Sequence, residues 1–299
     1  MTAPASLEAR FRKCLRYRTA ASWQKPFVNP RRFIRNQLCK LGITSARPAS
    51  LGKTHAFHVS PFFVVNGEAV SHEIASYGLF EANLTEAFLR LLKPGQVAMD
   101  VGMHLGYYAT LFATLVGREG AVHAFEPTPS TRRIAEENTR RFPQITVHPF
   151  AVWSSNGSVQ LRDYGFQWMA FNTLARPKLK EEPCIPTTFE VQTTTLDDFR
   201  QRLNRRVSLV KIDAESAERE ILKGAERFLA TDQPIVSVEV GDAESSRDSR
   251  RLADDLLALN YRPWEFRDGH FVHHQLREFY TYDNLIWAPL SQDFSRCCV

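Results

Sequence analysis

The chain has 299 residues, of which 43% are hydrophobic and 24% are charged, so its composition is that of a globular protein and excludes disordered, collagenous and disulfide-scaffold classes. The sequence contains no run of 18 apolar residues, so no membrane span is predicted. The first thirty residues also lack the apolar core of a signal peptide. The formal net charge of +5 conceals an asymmetry, because residues 1–50 carry eleven Lys and Arg and one acid, whereas the remainder carries 27 bases and 32 acids. Five cysteines without a CxxC pair favour a reducing, cytoplasmic location.

We assign residues 1–54 to a basic N-terminal extension. Its apolar residues recur with partial helical spacing, first at Leu7, Phe11, Leu15 and Trp23 and then at Phe33, Ile34, Leu38 and Leu41. A basic amphipathic helix can lie on an anionic membrane or dock on a partner protein. The simpler expectation is a solvated, partly ordered extension, and an organelle-targeting segment is a further alternative. Peripheral membrane contact is therefore one of the interactions that the sequence allows.

Residues 55–95 predict a hairpin and a helix that pack on the core. Phe62–Val65 and Glu68–Val70 flank Asn66-Gly67, a dipeptide typical of a two-residue hairpin turn. The pattern over Leu84–Leu92 is that of a helix with one apolar face.

From residue 96 to residue 290, predicted strands and helices alternate, and residues 291–299 form a tail. Strands are predicted at Val97–Val101, Ala121–Phe125, Ile145–Val152, Val159–Leu161, Phe189–Thr193, Leu209–Ile212, Ile235–Val240, Arg262–Phe266 and Asn284–Ala288. The helices between them are predicted at Tyr107–Val116, Ser130–Arg141, Leu196–Leu203, Glu218–Leu229 and Ser246–Leu259. Such alternation predicts an α/β fold whose mostly parallel sheet has helices on both faces.

A candidate cofactor site lies where the first strand of this alternation turns into its first helix. Asp100, Gly102, His104 and Gly106 occupy that turn, which is the favoured ligand position in an open α/β sheet. The glycines allow a tight turn and close approach of a ligand, and the unpaired N–H groups of the helix N-terminus attract an anion. Glu126 follows the second strand, where a carboxylate can accept hydrogen bonds from the hydroxyls of a ribose.

The same turn discriminates among cofactors. It departs from the GxGxxG dinucleotide fingerprint, and the carboxylate of Asp100 would repel a pyrophosphate by roughly a few kcal/mol at close range. S-adenosylmethionine carries an ammonium, a sulfonium and a ribose but no phosphate, so Asp100 and Glu126 favour it. The acidic balance beyond residue 50 disfavours nucleic acid as a partner.

Five motifs resemble the FkbM-type methyltransferases and lie within residues 77–240. They are Asp100-Val-Gly102 with Gly106-Tyr107-Tyr108, Phe125-Glu126-Pro127, Thr195-Leu196-Asp197-Asp198, Lys211–Glu218 and Leu222–Ala225. The resemblance implies a class I (Rossmann-like) methyltransferase with a seven-stranded sheet in which one late strand is antiparallel. It also implies S-adenosylmethionine as the cofactor and methyl transfer, usually to a hydroxyl of a sugar or natural product. The chain departs from the family at Met103-His104, where Ala-Asn is usual, and at Ser216, where Gly is usual.

Three carboxylates follow the strand Leu209–Ile212, namely Asp213, Glu215 and Glu218. Like charges held together raise the pKa of at least one carboxyl, which suits a general base for a hydroxyl, although such a group can equally hold a metal ion. We assign Asp213 and Glu215 to catalysis, and Glu218 to stabilising the dipole of the helix that follows. His104 joins the catalytic candidates as a base or a cofactor contact, with a structural role as the alternative.

The predicted cofactor-binding set comprises Asp100, Gly102, His104, Gly106, Glu126 and Ala151, and no metal ligand is assigned. Glu239, at the end of its strand, is a further candidate for binding acceptor hydroxyls. The aromatic loop Tyr164–Phe171 either stacks on the acceptor or packs as a lid. His270, His273 and His274 do not match the spacing of a strong metal motif and predict a hairpin.

The expected partner is therefore a small-molecule or glycan acceptor, such as a sugar, a glycolipid or a natural product. Two other functions stay open at this stage. An NAD-dependent oxidoreductase is disfavoured by the missing third glycine position and by Asp100. A non-catalytic binding protein on a degenerate methyltransferase fold is kept open by Met103, His104 and Ser216.

Overall fold

A computed structural model of the chain describes residues 4–40, 49–173, 184–241, 248–292 and 294. The helices are α1 (Pro4–Thr19), α2 (Lys25–Val28), α3 (Pro30–Lys40), α4 (Ala69–Tyr77), α5 (Ala82–Leu91), α6 (Tyr107–Val116), α7 (Pro129–Thr139), α8 (Leu196–Gln201), α9 (Glu218–Lys223), α10 (Glu226–Asp232) and α11 (Asp248–Ala258). The strands are β1 (Leu51–Thr54), β2 (Phe62–Val65), β3 (Val97–Val101), β4 (Ala121–Phe125), β5 (Ile145–His148), β6 (Ala151–Val152), β7 (Gly157–Asp163), β8 (Thr187–Thr194), β9 (Leu209–Ile212), β10 (Ile235–Val240), β11 (Tyr261–Arg267), β12 (His270–His273) and β13 (Asp283–Pro289). Within these residues, no helix combines the length and the hydrophobicity that a bilayer crossing requires.

Eight strands form the central sheet in the order β12-β11-β13-β10-β9-β3-β4-β5. The neighbours from β10 to β5 are parallel, whereas β13 runs antiparallel to both β10 and β11. Seven strands therefore form the mostly parallel sheet with one late antiparallel strand that the resemblance implies, and the fold is that of a class I methyltransferase. An eighth strand, β12, forms a hairpin with β11, as predicted for the segment that contains His270 and His273.

Helices cover both faces of the sheet, so its central strands are apolar on both sides. In β3, Ala98 belongs to the core cluster that contains residues of α5 and α6. Its neighbour Met99 belongs to the opposite cluster, with residues of α8 to α11. Alternate residues of a strand thus reach different layers, and this alternation decides which side chains reach the functional site.

The N-terminal segment contributes to the core, which corrects the expectation of a solvated extension. Leu7, Phe11 and Tyr17 of α1 are at most 4% exposed. The ring of Phe11 packs edge-on against Phe57, with 5.4 Å between centroids, and Arg12 donates a hydrogen bond to Glu86 of α5. The apolar face of α1 is therefore covered by the protein itself.

The hairpin predicted about Asn66-Gly67 does not form. Strand β2 pairs with β1 in an antiparallel ribbon, and the chain after Gly67 enters α4. Glu68 caps this helix, because its carboxylate accepts hydrogen bonds from the N–H groups of Val70 and Ser71 at 2.8 and 2.6 Å. These bonds satisfy the first N–H donors of α4. A helix therefore starts where the Asn66-Gly67 turn predicted the second strand of a hairpin.

The strand predicted over Ile145–Val152 is divided between two sheets. Its first half, β5, lies at the edge of the central sheet, whereas β6 pairs with β8 in a three-stranded sheet of order β6-β8-β7. The short connection between β5 and β6 brings this small sheet beside the carboxyl ends of the central strands, where it forms one wall of the site described next.

Candidate active site

A cavity of about 240 Å³ opens at the carboxyl ends of β3, β4, β9 and β10, the edge at which parallel sheets bind ligands. Of the predicted site residues, those that line it are Gly102, His104, Glu126, Ala151, Asp213 and Glu215. Asp100 and Gly106 lie outside its lining. Much of the remaining wall is apolar and comes from Phe80, Leu105, Phe125, Phe150, Leu161 and Met169.

The turn from β3 into α6 is held tightly against the end of β4. Gly102 has a φ of +78°, and a Cβ there would overlap the backbone carbonyl of Asp213, so only glycine fits. The N–H groups of Gly102 and Met103 both donate to the carbonyl of Phe125, at 3.1 and 3.0 Å. These two donors, which precede the N-terminus of α6, are therefore used within the protein.

Asp100 lies beneath the cavity, which corrects its expected contact with a cofactor. Its side chain is fully buried, and its Oδ1 lies 4.0 Å from the Nζ of Lys211, the residue in register on β9. Burial raises the pKa of Asp100 to about 6, although Lys211 and the N–H of Ala109 in α6 oppose this. Strand alternation explains the placement, because Asp100 faces the α6 layer together with Ala98.

Lys211 lines the cavity and was missed as a functional residue. Its Nζ donates to Asp213 at 2.8 Å and lies 5.0 Å from the centre of the Tyr108 ring. Burial alone would lower its pKa, but the carboxylates of Asp213, Asp100 and Glu81 outweigh burial and raise it, so the lysine is charged. The sequence feature that could have identified Lys211 is its position in the otherwise apolar central strand β9, because a buried lysine requires anionic partners.

Glu126 lies in the cavity as predicted and also fastens the turn. Its carboxylate accepts hydrogen bonds from the N–H groups of His104 and Thr128, at 3.1 and 3.0 Å. Burial raises its pKa to about 7, while these backbone donors oppose the shift. The carboxyl is therefore partly protonated near neutral pH, and a ligand that donates hydrogen bonds to it would favour the ionised form.

His104 presents its imidazole to the same cavity. Its Nε2 is buried and has no hydrogen-bond partner within the described residues. Burial lowers the pKa of His104, and the nearby carboxylates of Glu68 and Asp213 only partly oppose this. The ring is therefore neutral at pH 7 and can accept a proton or a hydrogen bond from a ligand. The residue has a φ of +50°, a backbone region that Asn tolerates better than most residues.

Three carboxylates face one another across the end of β9. Oxygen atoms of Asp213, Glu215 and Glu239 all lie within 4.8 Å of one another, so Glu239 joins the two predicted catalytic residues. Ionised carboxylates at this spacing repel one another, so the cluster favours uptake of a proton or a cation. Because Asp213 already accepts a hydrogen bond from Lys211, Glu215 and Glu239 are the better candidates for accepting a proton from a ligand.

Glu218 is structural, as expected, because its carboxylate accepts the N–H groups of Ala214 and Ser216 at 3.0 and 3.3 Å. These bonds hold a turn in which Glu215 and Ser216 have φ values of +46° and +76°. The usual glycine of the family at position 216 is thus consistent with the left-handed backbone found there.

A second residue that the sequence analysis missed, the carboxylate Glu81, borders the site at the start of α5. It accepts hydrogen bonds from the hydroxyls of Tyr108 and Tyr282, both at 2.8 Å, and from the amide of Asn284 at 2.6 Å. Burial raises the pKa of Glu81, and Asp213 adds to the shift. No spacing in the sequence links Glu81 to Tyr282, since the contact joins distant parts of the chain.

A groove adjoins the cavity and shares Tyr282 with it. Its lining combines polar side chains, from Arg18, Thr19, Glu81, Asn83, Glu265, Arg267, Asp283 and Asn284, with apolar ones from Leu15, Leu84 and Ile286, and Phe266 and Tyr282 add aromatic surfaces. Helix α1 forms one side and strands β11 and β13 the other. The segment predicted to be an extension therefore helps to form the approach to the site.

The profile of the family described as "Methyltransferase FkbM domain" matches residues 100–279 of this chain. A curated relative, the 31-O-demethyl-FK506 methyltransferase FkbM of Streptomyces tacrolimicus, is 29% identical over 195 residues, which cover 54% of this chain and 74% of that protein.

Among solved structures, the methyltransferase FkbM of Methylobacillus flagellatus KT is 16% identical with a TM-score of 0.43. The match covers 68% of this chain and 50% of that one, so the chain spans half the length of that relative. The fibrillarin of Aeropyrum pernix, solved with bound S-adenosyl-L-methionine, is 14% identical with a TM-score of 0.41, and the match covers 82% of this chain and 85% of that one.

Proposed function

Since the chain belongs to the methyltransferase FkbM domain family, which uses S-adenosylmethionine, we propose that it methylates a hydroxyl group of a sugar, a glycolipid or a natural product. The observation that carries the proposal is the cluster of Asp213, Glu215 and Glu239 in the same cavity as Glu126. One end of the cavity thus suits a nucleoside, and the other can remove a proton from an alcohol.

The cavity fits the cofactor by the chemistry of its walls. Glu126 would accept the ribose hydroxyls, and the apolar surfaces of Phe125, Phe150 and Ala151 beside it suit an adenine ring. Lys211 offers a buried ammonium to the cofactor's carboxylate, a role that we had expected of the helix N-terminus. The carboxylates about the cavity, rather than Asp100, supply the negative potential that favours an ammonium and a sulfonium.

When bound, S-adenosylmethionine would supply an electrophilic methyl group to an acceptor oxygen by in-line displacement and would leave as S-adenosylhomocysteine. The protein must hold the acceptor about 3–3.5 Å from that methyl group and take up the hydroxyl proton. We assign proton acceptance to Glu215, with Glu239 beside it, because Asp213 already accepts a hydrogen bond from the ammonium of Lys211. His104, neutral at pH 7, is a second acceptor on the cofactor side of the cavity.

The groove beside Tyr282 supports a polyhydroxylated or oxygen-rich acceptor. Its amides, carboxylates and guanidinium groups offer both donors and acceptors of hydrogen bonds, and its two aromatic rings offer flat surfaces. The name of the Streptomyces relative describes a substrate that lacks a methyl group on an oxygen atom, which supports transfer to oxygen here.

The two competing functions lose support from the geometry. A dinucleotide would place a pyrophosphate where the N–H groups of Gly102, Met103 and His104 already have acceptors, beside several carboxylates. A protein that only binds its ligand does not need a proton acceptor, whereas the neighbouring carboxylates of Asp213, Glu215 and Glu239 suit one.

The test measures transfer of a labelled methyl group from S-adenosylmethionine to fractionated cell extract, with sugar, lipid and protein products separated. We expect label in a sugar, glycolipid or natural-product fraction. Glu215→Gln should lower the rate at least tenfold, since a positioned base contributes about 10²–10⁴-fold, with cofactor affinity unchanged in calorimetry.

Glu119→Gln is the control, because Glu119 is an exposed acid outside the cavity lining that precedes β4, at the opposite end of that strand from Phe125. Equal rates for Glu215→Gln, for the Glu215→Gln/Glu239→Gln double variant and for the control would refute the assignment of the base. Label found only in protein or nucleic acid would refute the proposed acceptor class.

A further inference from the structure

The N-terminal helices expose large apolar side chains that the core does not use. Trp23, Phe27 and Ile34 are 71%, 83% and 56% exposed. They lie within twelve residues of one another, in the turn before α2, in α2 and in α3, and α2 packs against both α1 and α3. Helix α2 buries none of its residues, so Phe27 adds nothing to the packing of the fold.

The same region carries positive charge without matching acids. Residues 4–40 contain ten Lys and Arg and a single acid, Glu8, which pairs with Arg12. Some of the basic residues are engaged in the fold, as Arg18 is with Glu73. By contrast, Lys13, Arg16 and Arg31 are exposed, and none of them forms an ion pair with a residue that the structure describes.

Polar side chains of α3 hold this region against the core, so the exposed residues belong to elements that are fixed in place. Arg35 donates to the hydroxyl of Thr54 at 3.1 Å, and Asn36 donates to the carbonyl of Ser76 at 3.1 Å. Helix α3 is thereby fastened to β1 and α4. Trp23, Phe27 and Ile34 are presented by helices that are anchored to the core.

We propose that the exposed residues of the N-terminal helices, Trp23, Phe27 and Ile34 with the basic residues Lys13, Arg16 and Arg31, bind the surface of an anionic membrane. Exposed apolar side chains in the same short segment as uncompensated positive charge match a layer of acidic headgroups above acyl chains. Tryptophan in particular prefers the boundary between the two. The amphipathic face of α1, on which the sequence would place this contact, is buried and takes no part.

The experiment is co-sedimentation of the full chain with vesicles of phosphatidylcholine alone or mixed with phosphatidylglycerol at about 70:30. We expect binding to the mixed vesicles only, with at least a tenfold loss of binding at high salt because the charges are screened. The Trp23→Ser/Phe27→Ser variant should bind at least tenfold more weakly. Ile185→Ser is the matched control, since Ile185 is 96% exposed and lies outside residues 4–40.

The charges are tested separately by Arg16→Gln/Arg31→Gln, which should weaken binding and flatten its salt dependence. All variants alter exposed side chains, and calorimetric binding of S-adenosylmethionine verifies that they fold.

Failure of the parent chain to bind mixed vesicles, or binding that Trp23→Ser/Phe27→Ser leaves unchanged, would overturn the proposal. So would a dimer, seen by sedimentation velocity, that the same double variant abolishes, because a second copy would then occupy the surface. None of these outcomes depends on the methyl acceptor.

Discussion

At the scale of single residues, Glu126 links the backbone of the cofactor turn to the cavity and titrates near neutrality. Its pKa is raised to about 7 by burial, and hydrogen bonds from ribose hydroxyls would favour the ionised form. As pH rises from 5.5 to 7.5, affinity for S-adenosylmethionine should therefore rise.

Glu126→Gln should weaken the affinity about tenfold or more at pH 7.5, since hydrogen bonds to a charged group contribute about 1.5–3 kcal/mol. The difference between variant and parent should shrink towards pH 5.5, where both side chains are neutral. Calorimetric titrations at several pH values measure this, and a difference that does not vary with pH would contradict the role of the ionised carboxylate.

Lys211 supports a second prediction, because it neutralises the fully buried Asp100. Lys211→Met leaves that carboxylate without its cation and should lower the free energy of unfolding by about 3–5 kcal/mol at pH 8. The loss should be smaller at pH 5.5, because Asp100 has a pKa of about 6 even beside the lysine and takes up a proton when the lysine is absent.

Urea unfolding at the two pH values measures the effect of Lys211→Met. The double variant Lys211→Met/Asp100→Asn removes both charges and should recover part of the stability at pH 8. An equal loss of unfolding free energy at both pH values would contradict the role of the Lys211–Asp100 ion pair in stability. A double variant that is no more stable than Lys211→Met would contradict it as well.

What the sequence reveals at this scale depends on whether a residue's role is local. Gly102, Glu126 and Asp213 follow strand ends, so position along the chain was enough to place them beside the cavity. Asp100 was misplaced because its side chain points towards the α6 layer, whereas Val101 and Gly102 after it line the cavity. Glu81 was missed because its partners Tyr108 and Tyr282 are far from it in sequence.

At the scale of elements, α1 was predicted as a helix, but its environment was misjudged. A basic amphipathic pattern does not distinguish a helix that lies on the core from one that lies on a membrane, because both need one apolar face. The residues that cover α1, such as Phe57 and Glu86, come from segments whose positions are set only by the folded chain. The turn signal of Asn66-Gly67 failed for a similar reason, since the capping bonds of Glu68 start a helix in place of a second strand.

Two phenylalanines of the N-terminal segment give a matched test of this packing. Phe11 is fully buried, whereas Phe27 is 83% exposed. Phe11→Ala should lower the free energy of unfolding by about 3–5 kcal/mol through lost burial and a residual cavity, and Phe27→Ala should change it by no more than about 0.5 kcal/mol. Chemical denaturation measures both, and equal effects would contradict the placement of α1 in the core.

At the scale of the whole molecule, the sheet was the most predictable feature. Alternating buried strands and helices, as in Val97–Val101 followed by Tyr107–Val116, specify parallel βαβ units regardless of side-chain detail. The division of the chain between β5 and β6, and the small sheet that follows, depend on how the connections cross the site and were not predictable from periodicity.

The central claim is that the cavity binds S-adenosylmethionine, with Glu126 at the ribose and Lys211 at the carboxylate, while the N–H groups of Gly102, Met103 and His104 already have acceptors within the protein. Calorimetric titration of the full chain with S-adenosylmethionine and, separately, with NAD tests this most directly. We predict saturable binding of S-adenosylmethionine at one site per chain and no binding of NAD at the same concentrations. Binding of NAD with no response to S-adenosylmethionine would contradict it.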